Sequence, residues 1–369
     1  MRILCGIFLR GFVIICNKGE GKRLDFKYVP TFRYRSQERK ALNSTSISNK
    51  ILPLIEIVTE KPTQRSKKDS IEQLLTDLKD TNTSVMIDIP MYIRLRNNTI
   101  GNVRRYLTPV LANPQTRIDI LTDSRLVDSD KVIPVITYNP NDTYIPNYLA
   151  LQNQQLRKYY NQLAYRIYPN EFSNAMKELV NIVTERDIII LDLDETPHTH
   201  PANDNLYKSV QQLSSSKKCK SVILRSAIPR TVSNVSLNHN AIIQEADNSL
   251  LTAYSSLGFS AFGDYCGVKK DELTEGGIIS PGYIKYSWDD NSYYGFKGIK
   301  EQADTFESMV APSIVSSQVW SSFTKVHKDN CRGCKSIDGI YNKIKKGKSQ
   351  PEWKGFACGH YLYTMEEFL

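Results

Sequence analysis

Residues 186–196 read RDIIILDLDET, and this stretch decides how the rest of the chain is interpreted. An apolar run of three isoleucines and a leucine precedes Asp192 and Asp194. A continuous apolar run rich in β-branched residues is typical of a strand buried on both faces of a parallel sheet. Residues two apart in a strand share a face, so we predict that the two aspartates point to the same side at the strand's carboxyl end.

Similar apolar segments recur along the chain, and amphipathic helical patterns separate most of them. We predict eight strands, at 51–57, 84–89, 131–138, 162–168, 186–194, 220–227, 260–265 and 283–288. Strands that alternate with helices form right-handed parallel units. Eight such units favour an α/β fold of the closed (β/α)8, TIM-barrel type, and an open doubly wound sheet is the alternative.

Composition and charge narrow the class of protein. Hydrophobic content of 40% and charged content of 24% suit a globular protein, and the net charge of +9 suits an anionic partner. Seven scattered cysteines indicate a reducing compartment. The apolar start is interrupted by Arg10 and is followed by no cleavage site, so we predict a cytoplasmic protein that has no membrane contact.

We divide the chain into three parts. Residues 1–25 are interpreted as an N-terminal extension, with an over-extended start as one explanation. Residues 26–322 form the predicted barrel domain, and residues 323–369 form a small C-terminal segment that contains cysteine and histidine.

Polar residues lie where the predicted strands end, which is where barrels of this type carry their sites. The catalytic candidates are Glu56, Asp192, Asp194 and Asp264, and the ligand-binding candidates are Asp88, Arg225, Tyr265, Lys285 and Tyr286. Carboxylates in such a group can hold Mg²⁺ or divide acid and base roles, and the arginine and lysine can hold an anion. The alternative is that these residues only cap helices and bond loop amides.

The C-terminal segment contains a second group of candidates. Cys331, Cys334, Cys358 and His360 could form a Cys3His zinc site, with His327 as an alternative to His360. The C-x2-C spacing gives two thiolates on one side of a metal, but only C-x-H follows it. Free thiols buried in a small packed segment are the other interpretation.

The string DLDET also resembles the D-x-D-x-T nucleophile motif of haloacid-dehalogenase-type phosphatases. That resemblance implies Asp192 as the nucleophile and Asp194 as the acid. Ser226 stands where a hydroxyl should end the next strand, and Asp264 imitates the last acidic motif. The required lysine is missing, because only Arg230 is basic between these two residues. The phosphatase is therefore the weakest of the alternatives.

A second resemblance runs from about residue 26 to the end of the chain. Its motifs are YVP at 28–30, E-x-x-A-L at 38–42, PLIEI at 53–57, SAIPR at 226–230, FGDY at 262–265, the stretch 283–298 and W-x5-GH at 353–360. In this order they resemble the beta protein family of phages and mobile elements. The chain departs from the pattern at its doubled DLDE and in having a single histidine at 360.

The family is named for a satellite-phage protein that counteracts a toxic neighbour in a locus for phage exclusion. The resemblance therefore implies a component of an anti-phage defence or toxin–antitoxin-like system that binds a protein partner encoded nearby. A nucleotide or nucleic-acid ligand at the rim would suit the positive charge. The alternative is a metal-dependent phosphate-ester hydrolase or nuclease that uses the rim carboxylates. No catalytic residues come with the resemblance.

Overall fold

The computed structural model describes residues 24–63, 65–270 and 273–369. The predicted N-terminal extension lies outside the described residues except for its last two positions. In chain order, the strands are β1 Tyr28–Arg33, β2 Leu54–Glu56, β3 Val85–Asp88, β4 Val132–Ile136, β5 Ala164–Ile167, β6 Ile188–Asp192, β7 Lys220–Leu224, β8 Ala241–Ile242, β9 Ala261–Asp264, β10 Gly282–Ser287 and β11 Ser292–Lys297.

Helices occupy most of the connections. The α-helices are α1 Ser36–Asn43, α2 Ser70–Leu78, α3 Gly101–Ala112, α4 Pro114–Leu121, α5 Ser124–Val127, α6 Tyr148–Leu156, α7 Phe172–Ile182, α8 Asp204–Lys217, α9 Leu250–Ala253, α10 Ala311–Val315, α11 Gln318–Ser321, α12 Lys325–Asn330, α13 Arg332–Tyr341 and α14 Gln350–Phe368. A 3₁₀ turn at Pro201–Asn203 and a π-helical turn at Phe306–Val310 complete the described elements. No helix in the described ranges has the length and apolarity needed to cross a membrane.

Eight parallel strands close into a barrel in the order β1 to β7 and then β9, which pairs with β1. The (β/α)8 prediction is thus confirmed. The prediction gave the correct number of barrel strands, but it omitted the first of them and included a strand that lies outside the barrel. Tyr28–Arg33 is a barrel strand that the prediction omitted, and the stretch 186–194 contains the sixth strand.

The predicted eighth strand, 283–288, lies outside the barrel. It coincides with β10, which pairs antiparallel with β11, and β11 pairs in turn with the short β8. The reason is local, because Asp289-Asp290-Asn291 joins β10 to β11 as a tight turn in which Asn291 has a positive φ of 51°. Asn and Asp are the residues that tolerate this conformation, and they mark the hairpin in the sequence.

Alternation along the barrel strands separates an apolar floor from a charged mouth. Leu54, Met86, Ala164 and Ile190 belong to one buried apolar cluster that fills the barrel interior. Two residues further along the same strands, on the same face, stand Glu56, Asp88, Arg166 and Asp192. The interior therefore changes from apolar to charged toward the carboxyl ends of the strands.

The chain after β9 packs against the barrel as a second layer. Tyr283, Phe306, Cys334 and Trp353 belong to an apolar cluster that the β10–β11 hairpin shares with the C-terminal helices. This cluster contains residues on both sides of position 323, where we placed the start of the C-terminal segment. Tyr361 on α14 also belongs to the main core around the barrel.

Gly263 on β9 is a position where the barrel leaves no room for a side chain. A Cβ there would lie 2.7 Å from the Val29 carbonyl oxygen and 2.9 Å from Leu224 Cδ1. We predict that Gly263→Ala lowers the free energy of unfolding by about 1–3 kcal/mol, because two barrel strands must move apart. Gly339→Ala, on the partly exposed side of α13, should instead be neutral or raise it by up to about 1 kcal/mol. Urea denaturation of both variants measures this, and equal effects would contradict the packing argument.

Candidate functional site

The barrel mouth is organised around Arg166, which β5 places inside the barrel with 0% of its surface exposed. Its Nη1 donates to Glu56 at 2.7 Å and to Asp88 at 2.9 Å, and its Nη2 donates to Asp192 at 2.7 Å. These acids come from the ends of three different strands. We call Arg166, Glu56, Asp88 and Asp192 the acid–arginine cluster.

Two further arginines complete the charge balance below the mouth. Arg117 on α4 donates to Asp88 Oδ1 at 2.9 Å and to the side-chain oxygen of Gln152 at 2.7 Å. Arg33, at the end of β1, donates from Nε to Glu56 at 3.4 Å. Fully buried carboxylates require such partners, because an unpaired buried charge costs several kcal/mol.

A layer of tyrosines and one lysine covers the acid–arginine cluster. The Tyr92 hydroxyl lies 2.8 Å from both oxygens of Glu56, and the Tyr265 hydroxyl accepts from Arg166 Nη2 at 3.0 Å. The Lys270 ammonium lies 3.7 Å from the centre of the Tyr92 ring and is almost completely buried. This layer therefore adds one more buried cation beside the mouth, in addition to the three arginines.

Asp194 is the exposed acid of the mouth. It lies beyond the end of β6 in a left-handed conformation, with φ of 54°, and its oxygens bond Arg230 at 2.5 Å and Lys270 at 2.9 Å. Asp192 Oδ1 accepts the Asp194 backbone N–H at 2.8 Å. Both aspartates line the same cavity, but the turn, and not strand alternation, places the second one there.

The cavity at the mouth has a volume of about 420 Å³. Its cationic lining residues are Arg33, Arg94, Arg96, Arg230 and Lys270, and its acidic lining residues are Asp192 and Asp194. Tyr92, Tyr168, Asn141 and Asn170 add neutral polar and aromatic surface. Cations outnumber acids in the lining, and both acids are already paired with cations.

The surrounding charges also determine which side chains at the mouth are ionised. Burial alone would raise the pKa of Glu56, but Arg166, Arg33 and Lys270 outweigh it and hold that pKa below its ordinary value. Burial likewise opposes ionisation of Asp194, whose pKa is held low by Lys270 and Arg230. Burial and the charge of Glu56 raise the pKa of Tyr92, so its hydroxyl stays protonated and donates to the carboxylate.

Of the residues predicted from the sequence, Glu56, Asp88, Asp192, Asp194 and Tyr265 converge at the mouth. Asp264 does not, because it stands one position out of phase with the interior residues of β9. Its carboxylate accepts from the hydroxyls of Tyr28, at 2.7 Å, and Tyr361, at 2.5 Å, on the outer side of the barrel.

Three other candidates also lie away from the mouth. Arg225 is one position out of phase on its strand and bonds Asp247 at 2.6 Å. Lys285 and Tyr286 belong to β10, outside the barrel, so their predicted place at the rim was wrong. The Tyr286 hydroxyl donates to Asn291 at 2.7 Å, and Lys285 lies beside His360.

Three of the four predicted C-terminal ligands lie together, and the fourth does not. Cys331, Cys334 and His360 lie together, and the fourth member of their group is His327. Cys358 was predicted as a ligand but lies elsewhere, where its carbonyl oxygen is 3.5 Å from Cys266 Sγ. It precedes His360 by two positions, and such residues point to different sides of a helix.

The sequence did not lead us to Arg166, Arg117, Tyr92 or Lys270. The interior position of Arg166 could have been predicted, because Arg166 follows Ala164 by two positions in a strand and shares its interior face. Arg117 comes from a helix, and Tyr92 and Lys270 come from loops. No periodic pattern predicts where such residues meet a barrel.

The mouth is better arranged to bind than to cleave. Arg166 lies among the three buried carboxylates, where a divalent cation would have to lie, so these acids are not available as Mg²⁺ ligands. Asp192 is buried and bonded at both oxygens, which argues against the nucleophile role that the phosphatase interpretation requires. The exposed hydrogen-bonding groups at the mouth are chiefly cationic donors.

Comparison with known proteins supports the resemblance found in the sequence. The family model described as "Beta protein" matches residues 28–366, which is nearly the whole chain. A search of curated proteins finds no match.

Removing Arg166 should expose the cost of the acid cluster. We predict that Arg166→Met lowers the free energy of unfolding by about 3–5 kcal/mol at pH 7.5, because three buried carboxylates lose their shared partner. The deficit should shrink at pH 5, because the pKa of Glu56 is lowered in the wild type and its contribution to stability falls as pH falls. Arg125→Met, which removes a surface arginine bonded to Asp69 and Asp123, should cost less than about 1 kcal/mol. Denaturation at both pH values tests this, and equal losses in the two variants would refute the central role of Arg166.

Asp264 should make the stability depend on pH. Burial raises its pKa to about 6, against lowering by the hydrogen bonds from Tyr361 and Tyr28. A folded pKa above the unfolded one stabilises the fold at low pH, and that contribution is lost as pH rises toward 6. Relative to Asp264→Asn, the wild type should therefore lose about 2 kcal/mol between pH 3.8 and pH 6.

Asp77 provides a control of opposite sign. Its pKa is lowered by Arg39 and Tyr34 although burial opposes this, so its contribution is lost as pH falls. Asp77→Asn should therefore differ most from the wild type at neutral pH. Free energies of unfolding measured across this range would contradict the assignment if both variants showed the same pH dependence.

Proposed function

The chain belongs to the Beta protein family, and we propose that it is a binding protein whose barrel mouth receives a phosphate-bearing ligand, either a nucleotide or the end of a nucleic-acid strand. One observation supports this most strongly. The mouth is lined by five cationic side chains and by only two acids, both of which are already paired. Such a lining favours a ligand with several negative charges.

The size of the cavity agrees with a ligand of nucleotide size. A volume of about 420 Å³ falls within the range of small-molecule sites, which begins near 300 Å³. Asn141 and Asn170 line the cavity and offer amide groups for hydrogen bonds. Arginine side chains recognise phosphate oxygens in pairs, which suits Arg94, Arg96 and Arg230 at the outer edge.

Asp194 is the group that such a ligand would replace. It is the exposed acid that holds Arg230 and Lys270 together across the cavity. A phosphate that enters the mouth can accept hydrogen bonds from the same two cations while the buried Asp192 stays with Arg166. The acid–arginine cluster then supports the binding groups without contacting the ligand.

At the level of the cell, we propose a role in anti-phage defence or in a toxin–antitoxin-like pair, with a protein partner encoded nearby. The family resemblance supports this role, because the protein that gives the family its name counteracts a toxic neighbour. A cytoplasmic location is part of the proposal, and the buried free thiols of the described cysteines suit a reducing compartment. Co-purification of the chain with the product of a neighbouring gene tests the partner.

Ligand binding can be tested directly by calorimetry with inorganic pyrophosphate, nucleoside mono- and triphosphates, and short oligonucleotides. We expect at least one nucleotide to bind, with an affinity that falls as salt concentration rises. Arg230→Gln should weaken binding by about tenfold, because a charge-assisted hydrogen bond to phosphate is lost.

Arg125→Gln is the matched control, since Arg125 also bonds two acids at the surface but does not line the cavity. Its affinity should stay within about twofold of the wild type. Equal loss of binding in both variants would show that the ligand senses only net charge. Absence of binding across the panel would refute the proposal.

A further inference from the structure

Four donor atoms converge in a buried group between the C-terminal helices. His360 Nδ1 lies 3.6 Å from the sulfur of Cys331, 3.6 Å from the sulfur of Cys334 and 3.3 Å from His327 Nε2. All four donor atoms lie within 4.8 Å of one another, and all four residues are buried. We call them the Cys2His2 cluster.

The three distances measured from His360 Nδ1 match edges of a tetrahedron around one zinc ion. Zinc–sulfur bonds of about 2.3 Å and zinc–nitrogen bonds of about 2.0–2.1 Å give sulfur–nitrogen edges of about 3.6 Å and nitrogen–nitrogen edges of about 3.3 Å. The observed sulfur–nitrogen and nitrogen–nitrogen distances agree with both values.

Outer partners orient both imidazoles for metal binding. His360 Nε2 lies 2.9 Å from the Tyr286 carbonyl oxygen, so this nitrogen carries the proton and Nδ1 directs its lone pair at the sulfurs. His327 Nδ1 lies 2.5 Å from a carboxylate oxygen of Glu367, which leaves Nε2 as its free donor. Metal-bound histidines typically have such partners at the other ring nitrogen.

The charge around the cluster also fits two thiolates. Lys285 is completely buried, and its ammonium lies 3.6 Å from Cys334 Sγ. It also lies 3.1 Å from His360 Nε2, but this contact is not a hydrogen bond because that nitrogen donates to the Tyr286 carbonyl oxygen. No carboxylate among the described residues forms an ion pair with it. A buried ammonium needs a negative neighbour, and a thiolate of the cluster is the group in reach.

The backbone is shaped for close approach at this point. Gly333 lies between the two cysteines, and a Cβ there would come within 2.2 Å of the Phe356 carbonyl oxygen on α14. Glycine therefore lets the cysteine-bearing turn of α13 lie directly against the helix that carries His360. The H-x3-C-x2-C spacing supplies three donors from the junction of α12 and α13, and His360 closes the site from α14.

We propose that His327 Nε2, Cys331 Sγ, Cys334 Sγ and His360 Nδ1 bind one structural zinc ion. Two sulfur and two nitrogen donors in tetrahedral arrangement favour zinc over magnesium or calcium. Four protein donors with no access for solvent leave no open position for substrate, so the ion fixes the fold. It joins α12, α13 and α14 and holds α14 in place, where Tyr361 bonds Asp264 of the barrel.

The experiment uses the full chain purified through a tag without histidine and without chelators. Elemental analysis should find about one zinc per chain in the wild type and almost none in Cys331→Ser. Cys358→Ser is the matched control, because Cys358 is also buried on α14 but lies outside the cluster. It should retain about one zinc. Exchange with cobalt should give the absorption bands of a tetrahedral thiolate site in the wild type and in the control.

Removal of the ion should destabilise the protein whatever happens at the barrel mouth. A strong chelator should lower the Tm of the wild type by roughly 10 °C, and added zinc should restore it. If Cys331→Ser fails to fold, the cobalt spectrum and the chelator response of the wild type still decide the question. A folded wild type that neither contains nor takes up zinc would overturn the proposal, as would a Cys331–Cys334 disulfide in protein purified under reducing conditions. Nucleotide affinity is measured separately, so the two proposals fail independently.

Discussion

The ion pairs of one buried arginine hold the carboxyl end of the barrel together. Arg166 bonds acids from β2, β3 and β6. The first two strands are neighbours, and two other strands separate β3 from β6 in the barrel. Each acid alone would be too costly to bury, and the arginine alone would be equally costly. Together with Arg33 and Arg117, they replace the apolar packing of the barrel floor by a neutral, fully bonded layer.

This layer determines what the surface above it can do. Because the buried acids are paired with Arg166, Arg33 and Arg117, the cations at the mouth are opposed by the partly exposed Asp194 and Glu195, which both bond Arg230. Arg94, Arg96 and Arg230 therefore stand over a rigid base, and Lys270 is held by Tyr92 and Asp194. A preorganised set of cations loses little entropy when an anion binds, which is the property that a binding site for phosphate requires.

The sequence predicted the closed barrel because apolar strands and amphipathic helices alternate along it. It predicted Glu56, Asp88 and Asp192 at the mouth because they end strands in phase with the interior residues. The predictions for Asp264 and Arg225 were wrong because these residues are out of phase with the interior positions of their strands. The sequence shows this, since interior positions follow Ala261 and Val222 at intervals of two. The strand at Tyr28–Arg33 was missed because Pro30 interrupts it, while the Asp-Asp-Asn turn after 283–288 should have indicated a hairpin. The replacement of Cys358 by His327 depends on helix packing, which the spacing of the cysteines does not contain.

Hydrogen–deuterium exchange of the full chain with and without ATP tests the proposed binding site most directly. The proposal predicts slower exchange in the segments around 92–96, 139–141, 168–170 and 193–196, which surround the cavity, and no change at the amino ends of the barrel strands. Protection confined to the basic stretch at 343–348, or to the outer helices, would show that nucleotides bind elsewhere and would contradict the account.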